Sequence, residues 1–338
     1  MLGKVNQTQP IEHHRSLITR YPRVSIIILN WNGLEDTIEC LESLKKITYP
    51  NYEVIVVDNG SKGNDAQVLE GKFGDYIHLV RNDRNYGYAG GNNIGIRYAL
   101  TSSLPDYLLI LNNDVVVAPD FLTEMVGVAD GDEQIGLVGP KTYVYGTPDR
   151  LELVWYKVDM QKGRATHVAS REIDRGQYEE AKQVDYIQGS CLLVRQKVIQ
   201  NVGLLDEEYF CYWEETDYCS RMREAGYKIV YAPRARIWHK KSLGLEPWYK
   251  TLRRKDQAKV PPYHIYFMTR NNFKFMKKHA SAKQYRSFVG YFFGYRFWFM
   301  IGFCLLYRRD IKLLIAFSRG VRDGVNNSSS GARYYVVR

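Results

Sequence analysis

Cysteine is sparse and poorly placed for structural work. The five thiols, Cys40, Cys191, Cys211, Cys219 and Cys304, are odd in number, scattered, and form no C-x-x-C pair. That excludes a disulfide framework and a structural zinc site, and it suits a reducing compartment. Apolar runs are missing from the first twenty residues, so no secretory signal is expected there and residues 1–20 read as a loose polar arm. Phosphate-cradling signatures are also missing. The chain has no GxxxxGK[ST] segment, and its Gly-rich stretch NYGYAGGNN (85–93) does not have the GxGxxG spacing of a dinucleotide site. No internal repeat or low-complexity segment interrupts the chain.

Acidic residues are scarce in one region only. From Lys240 to Arg338 the chain carries 21 Lys and Arg against 4 Asp and Glu, whereas the first 239 residues carry 26 basic and 33 acidic side chains. An acidic body followed by a basic, aromatic tail marks a compositional boundary, which we place at 244/245. The tail reads as a surface for anionic lipid, with nucleic acid as the weaker alternative. Within it, FVGYFFGYRFWFMIGFCLLY (288–307) is interrupted only by Arg296. Its length could span a bilayer. The central arginine, the aromatics and the flanking Arg308 and Arg309 fit an interfacial amphipathic helix better, with packing on the body or a homodimer interface as the other readings.

What the body contains is a series of βα units. VSIIILN (24–30), YEVIVVDNGS (52–61), IHLVRN (77–82), DYLLILNND (106–114) and QIGLVGP (134–140) are apolar runs expected as strands buried on both faces. Leu34, Ile38, Leu41 and Leu44 fall at helical spacing, as do residues 94–100 and a short segment after Pro119. The predicted fold class is α/β, a mostly parallel central sheet flanked by helices. Residues 141–184 lose this pattern and are expected to form an irregular insertion in a body running from 21 to 244. GSCLLVRQKVI (189–199), a helix over 215–225, and two strand-like runs, 228–233 and 235–239, follow.

In such sheets, ligands gather beyond the carboxyl ends of the strands. Three polar clusters stand there: Asn30-Trp31-Asn32, Asp58-Asn59-Gly60-Ser61 and Asn112-Asn113-Asp114. Asp, Asn and Gly end strands simply because they make turns, but three apolar runs ending this way point to one shared ligand. Asp58 can accept hydrogen bonds from a pyrimidine imide and a ribose. The glycines of 85–93, Gly87 and Gly90 among them, allow close backbone approach, and Asn92 and Asn93 can bond sugar hydroxyls. Asp114 is the candidate ligand for a divalent cation that offsets charge on a diphosphate leaving group, with Asn112 and Asn113 in support. His239 could add a nitrogen ligand, which would favour Mn²⁺ over Mg²⁺. Trp213-Glu214-Glu215-Thr216-Asp217 concentrates three carboxylates at a helix start. They complement the helix dipole there and could equally supply a general base.

Taken in order, VSIIILNWNG, VIVVDNGS, NYGYAGGNN, LLILNNDV, GSCLLVR, VGLLDEEYF, YWEETDYCSRMREAGYKIVYAP and IWHKKS resemble the family 2 inverting glycosyltransferases of the GT-A fold, notably their rhamnosyltransferase-like branch. The resemblance implies a nucleotide site formed by Asn30, Asn32, Asp58, Gly87, Gly90, Asn92, Asn93 and Asn113. It implies a Mn²⁺ or Mg²⁺ site at Asp114 and His239, and Glu215 as base with Glu214 and Asp217 as alternates. The activity implied is one-step inverting transfer from a UDP- or dTDP-sugar to a glycan or lipid-linked acceptor at the cytoplasmic face of the membrane, with no nucleic-acid partner. Asn112 stands where the family often has its first Asp, and Glu215 where Asp is common. A sugar-phosphate nucleotidylyltransferase is the alternative enzyme class. It requires an early Gly-rich segment with basic residues, which VSIIILNWNG lacks. A non-catalytic nucleic-acid- or sugar-binding protein is the other alternative; it accounts for the basic tail but not for the carboxylates of the body.

Overall fold

The computed structural model describes residues 21–240 and 260–336. The polar arm 1–20 and the 244/245 boundary lie outside the described residues.

The first strands form as their composition requires. β1 (Val24–Asn30), β2 (Tyr52–Asp58) and β4 (Tyr107–Asn112) are apolar on both faces and almost wholly buried. β1 sits between β2 and β4, parallel to both, and β3 (His78–Arg81) extends this parallel half beyond β2. In register, Asn30 lies beside Asp58 and Leu29 beside Asn112, so all three polar strand ends emerge on one rim. Helices α1 (Leu34–Leu44), α2 (Asp65–Phe73) and α3 (Gly87–Ser102) cross over between these strands.

The sheet order is β10 (Lys182–Gln183), β12 (Lys228–His239), β6 (Ile135–Val144), β11 (Cys191–Arg195), β4, β1, β2, β3. It is mixed rather than mostly parallel. β11 runs antiparallel to both β4 and β6, and β12 then runs parallel to β6. An apolar run reads the same in either direction, so periodicity could not reveal this reversal. The two runs expected at 228–233 and 235–239 are one strand, with an irregular register between Ala232 and Arg236. Helix α4 (Phe121–Asp130) packs under this half, and α5 (Gln196–Val202) and α6 (Glu214–Glu224) lie near β11 and β12.

The stretch 141–184 is more regular than its composition suggested. It finishes β6, then forms β7 (Leu151–Leu153) against β6, an antiparallel ribbon of β8 (Trp155–Asp159) and β9 (Arg164–Val168), and β10 (Lys182–Gln183) against β12. Tertiary pairing supplies the order that a weak hydrophobic period does not.

The tail is helical. α7 (Pro262–His279) is built into the protein, with Tyr266, Phe267, Phe273, Phe275 and Met276 buried. α8 (Ala282–Tyr307) is long and apolar enough, by length and composition, to cross a membrane, yet little of its surface is buried. It contains two π-helical turns, at Phe292–Arg296 and Phe303–Tyr307. α9 (Ile311–Asn326) returns along α7.

Candidate active site

The strand ends converge as pairing dictates, and hydrogen bonds fix their side chains. Asn30, wholly buried, donates to Asp58 Oδ1 at 2.9 Å, to Asp65 Oδ2 at 3.0 Å and to Ser61 Oγ at 3.2 Å. Its Oδ1 accepts from Thr37 Oγ1 at 2.8 Å, and Thr37 accepts in turn from Asn113 Nδ2 at 2.9 Å. Asn30 is therefore spent on orienting Asp58, and Thr37, a residue the strand-end reading missed, ties the end of β1 to the end of β4. Asn32, in the left-handed region at φ +50°, is exposed and braces the facing loop by accepting from the Lys62 amide at 2.8 Å.

The Gly-rich stretch is the first turns of α3 rather than a loop before it. Two of its glycines, Gly87 and Gly91, are required by protein packing. A Cβ on Gly91 would lie 2.4 Å from Leu29 Cδ1, and one on Gly87, at φ +76°, 2.5 Å from the backbone and ring of Phe210. Gly90 is less constrained: a Cβ there would come within 3.1 Å of Tyr86 Cβ and meet Glu207 only at ordinary contact distance. Asn93 bonds the amide and carbonyl of Leu205 and the Glu207 carboxylate, which uses both of its amide protons within the protein. Asn92 donates to the Tyr88 carbonyl, and its Oδ1 is buried with no partner.

Asp114 follows β4 directly. β5 (Val115–Val117) pairs antiparallel with the end of β12, setting Val115 opposite His239, and Lys240 N donates to the Asp114 carbonyl at 3.0 Å. His239 Nε2 consequently lies 3.2 Å from Asp114 Oδ1. On its other side His239 Nδ1 lies 2.9 Å from Glu152 Oε2. Glu152 comes from β7 and is buried; Gln188 donates to it at 3.2 Å. A lone carboxylate between two buried leucines in LEL was the available sequence signal for it. Burial disfavours charge on His239, but the two carboxylates outweigh that and hold its pKa up to about 10. This is the carboxylate–histidine arrangement that orients a ring nitrogen towards a metal. Among the described residues no third His, Cys, Asp or Glu joins the pair. Asp114 and His239 thus fit a hard cation whose remaining ligands arrive with a diphosphate.

The acidic helix start lies near the same strand end. Three of the four residues before Glu214, namely Phe210, Tyr212 and Trp213, have left-handed backbone with φ of +65°, +68° and +73°. A Cβ on Gly189 would rest against Glu215 at 3.5 Å, and the Ser190 carbonyl next to it accepts from the Asn112 backbone amide at 2.9 Å, two residues before Asp114. Tyr88 bridges the two sides, donating to the Gly189 carbonyl at 2.5 Å. Burial and the nearby charges of Glu214, Glu215 and, more weakly, Asp114 push its phenol well above the ordinary range. Burial, with Glu215 beside it, also raises the Glu214 carboxyl, whose Oε2 has no partner. Burial raises Glu215 as well, opposed in part by a 3.1 Å hydrogen bond from Tyr156 of β8. Glu215 is partly exposed, accepts from Tyr156 and more distantly from Thr216 Oγ1 at 3.4 Å, and with its raised carboxyl has the character of a base; Tyr156, from the stretch expected to be irregular, is a second site residue the sequence concealed.

Asp217 belongs to a different environment. It is 0% exposed and bonded to Arg221 at 2.8 Å, Lys278 at 2.8 Å and His279 at 2.9 Å. Its burial is more than offset by the hydrogen bonds from His279, Lys278 and Arg221 and by the Arg221 charge, which hold its carboxyl well below the usual range. A carboxylate so stabilised is a poor proton acceptor, so geometry separates this alternate from Glu214 and Glu215.

A family model described as "Glycosyltransferase like family 2" matches residues 22–257. The chain belongs to glycosyltransferase family 2. The low-salt glycan biosynthesis hexosyltransferase Agl10 of Haloferax volcanii is 26% identical over 212 residues, 61% of this chain and 63% of that one, so the chain spans under two thirds of that relative. The N-acetylglucosaminyl-diphospho-decaprenol L-rhamnosyltransferase of Mycobacterium tuberculosis is 27% identical over 61% of this chain and 73% of its own length. Rhamnosyltransferase WbbL of Escherichia coli K12 is 27% identical over 62% and 80%. The last two names support the rhamnosyltransferase-like branch. Among solved structures, S. aureus TarS 1–349 in complex with UDP-GlcNAc aligns with a TM-score of 0.54 at 16% identity, covering 90% of this chain and 81% of that one. GalNAc-T7 with UDP, GalNAc and Mn²⁺ aligns at 0.55 and 16%, covering 86% and 58%. Both likenesses establish the fold, GT-A, in this family 2 member.

Proposed function

We propose that this family 2 protein moves a sugar from a UDP- or dTDP-sugar to a hydroxyl of a glycan or lipid-linked acceptor, with inversion. What supports the reading is Tyr88, which donates to the Gly189 carbonyl and feels the charges of Glu214, Glu215 and, more weakly, Asp114, so that the acidic helix start and the Asp114–His239 pair neighbour one side chain. Asp58, oriented by Asn30, accepts from the nucleoside. Asp114 and His239 would hold Mn²⁺ or Mg²⁺, which when bound offsets the charge on the departing diphosphate. Glu152 holds the His239 ring in place. Glu215 takes the acceptor hydroxyl proton; its raised carboxyl brings it closer to the operating pH, and Tyr156 anchors it. The relatives' names support glycan synthesis as the setting.

The same reading puts the protein at the cytoplasmic face of the membrane. What supports it is α8, where Trp298 is 65% and Leu306 79% exposed beside Arg308 and Arg309. Aromatics and aliphatics next to cations suit an interface with anionic lipid.

The experiment is a turnover screen of UDP- and dTDP-sugars with Mn²⁺, repeated with Glu215→Gln. Loss of a general base lowers transfer by about 10²–10⁴-fold, and nucleotide binding by calorimetry should survive. Wild-type turnover in the variant, or a product that retains the donor's anomeric configuration by NMR, would overturn the assignment.

A further inference from the structure

The segment that carries the proposed base is held by the C-terminal helices, and one side chain does most of the holding. Asn271, in the middle of α7, is 0% exposed. Its side-chain nitrogen shares two protons among three carbonyls of one short loop, those of Tyr209 at 2.9 Å, Cys211 at 2.8 Å and Tyr212 at 2.8 Å. Its Oδ1 accepts from Arg270 Nε at 2.8 Å, and Arg270 also donates to the Glu208 carbonyl. The loop it grips is the one in which Phe210, Tyr212 and Trp213 are all left-handed without being glycine. Each such residue is unfavourable by itself, so the conformation persists only where surrounding contacts over-determine it. Two turns further along α7, Lys278 and His279 bind Asp217 at 2.8 and 2.9 Å. Glu214 and Glu215 stand between these two grips.

We infer that Asn271 is a positioning residue for the base: its amide holds residues 209–212 in the left-handed path that places the Glu215 carboxylate. This rests on the reading of Glu215 given above. Hydrogen bonds from a neutral, buried amide to three carbonyls are well suited to the task. They fix backbone geometry without adding a charge that would perturb the neighbouring carboxyls. The catalytic site is then completed by a helix that follows the αβ body in sequence, and the tail becomes part of the site rather than an attachment to it.

The test is a double-mutant cycle on the full chain, with the radiolabelled UDP- or dTDP-sugar that the wild type turns over fastest, Mn²⁺ present and water as acceptor. Asn271→Ala should lower kcat by about 10- to 100-fold, the range expected when a reacting group is displaced by about an ångström, with donor KM within twofold. In the Glu215→Gln background the same change should cost less than twofold, because a residue acting through the base has nothing left to position. Asn271→Ser, which keeps one donor and disturbs packing less, should fall between and serves if the alanine variant does not fold. Equal losses in both backgrounds, or a rise in KM with kcat unchanged, would overturn the positioning role while leaving the base intact. Wild-type turnover in Glu215→Gln alone would overturn the base, and the positioning role with it.

Discussion

Replacing Asp217 by Asn should destabilise the protein without touching the nucleotide site, and the structure sets the size of the effect. The side chain has no exposure and meets Arg221, Lys278 and His279, all within 2.9 Å. Removing one partner of a buried ionic cluster costs about 3–5 kcal/mol because the remaining charges stay unpaired. Arg221 keeps its bonds to the carbonyls of Val202 and Leu204, and Lys278 is partly exposed and keeps Asp206, so the lower end, about 3 kcal/mol, is expected. At about 2 °C per kcal/mol for a chain larger than 250 residues, Tm should fall by about 6 °C at pH 7. The sign with pH follows from the direction of the shift. A carboxyl depressed in the folded state contributes fully above its unfolded pKa of about 3.9 and loses that contribution as pH falls below it towards the folded value. The Tm gap between wild type and variant should therefore be constant from pH 7 to 5 and narrow as pH drops below about 4. Scanning calorimetry with dTDP or UDP binding as a companion measurement decides it. A gap under 1 °C, or one that widens in acid, would refute the idea that Asp217 is an ion-pair anchor.

Other outcomes follow from the same geometry. Glu152→Gln should weaken Mn²⁺ affinity about 10- to 100-fold, measured by titration in the presence of nucleotide, because His239 loses the carboxylate that aims it. Tyr156→Phe removes a hydrogen bond that favours the ionised form of Glu215, so the acidic limb of the pH–rate profile should move to higher pH; an unmoved limb would separate Tyr156 from the base. Gly91→Ala should cost about 1–3 kcal/mol in denaturant titration, since its Cβ would collide with Leu29 inside the packed α3–β1 contact. The double variant Trp298→Ser with Leu306→Ser should reduce co-sedimentation with phosphatidylserine vesicles by at least half while leaving nucleotide binding unchanged; full retention would argue against α8 as the lipid-facing element.

Much of this protein is legible in its residues alone. Runs such as VSIIILN and DYLLILNND are too apolar to be anything but buried strands, and the polar residues ending them must meet at one rim once the strands pair in parallel. The ordered motifs carried the family. Position 217, the polarity of the sheet and the role of the glycines were beyond such reading, because each depends on partners distant in sequence. Asp217 and Glu215 are two residues apart on α6, yet one meets Lys278 and His279 of α7 while the other meets Tyr156 of β8. Glu152 meets His239 only because β7 and β12 both pair with β6. Local sequence determines which segments hide from water and where they turn. Which carboxylate becomes a base and which an anchor is decided by the charges and dipoles that tertiary packing brings within about 3–4 Å, the range over which Coulomb and hydrogen-bond energies outweigh solvation differences.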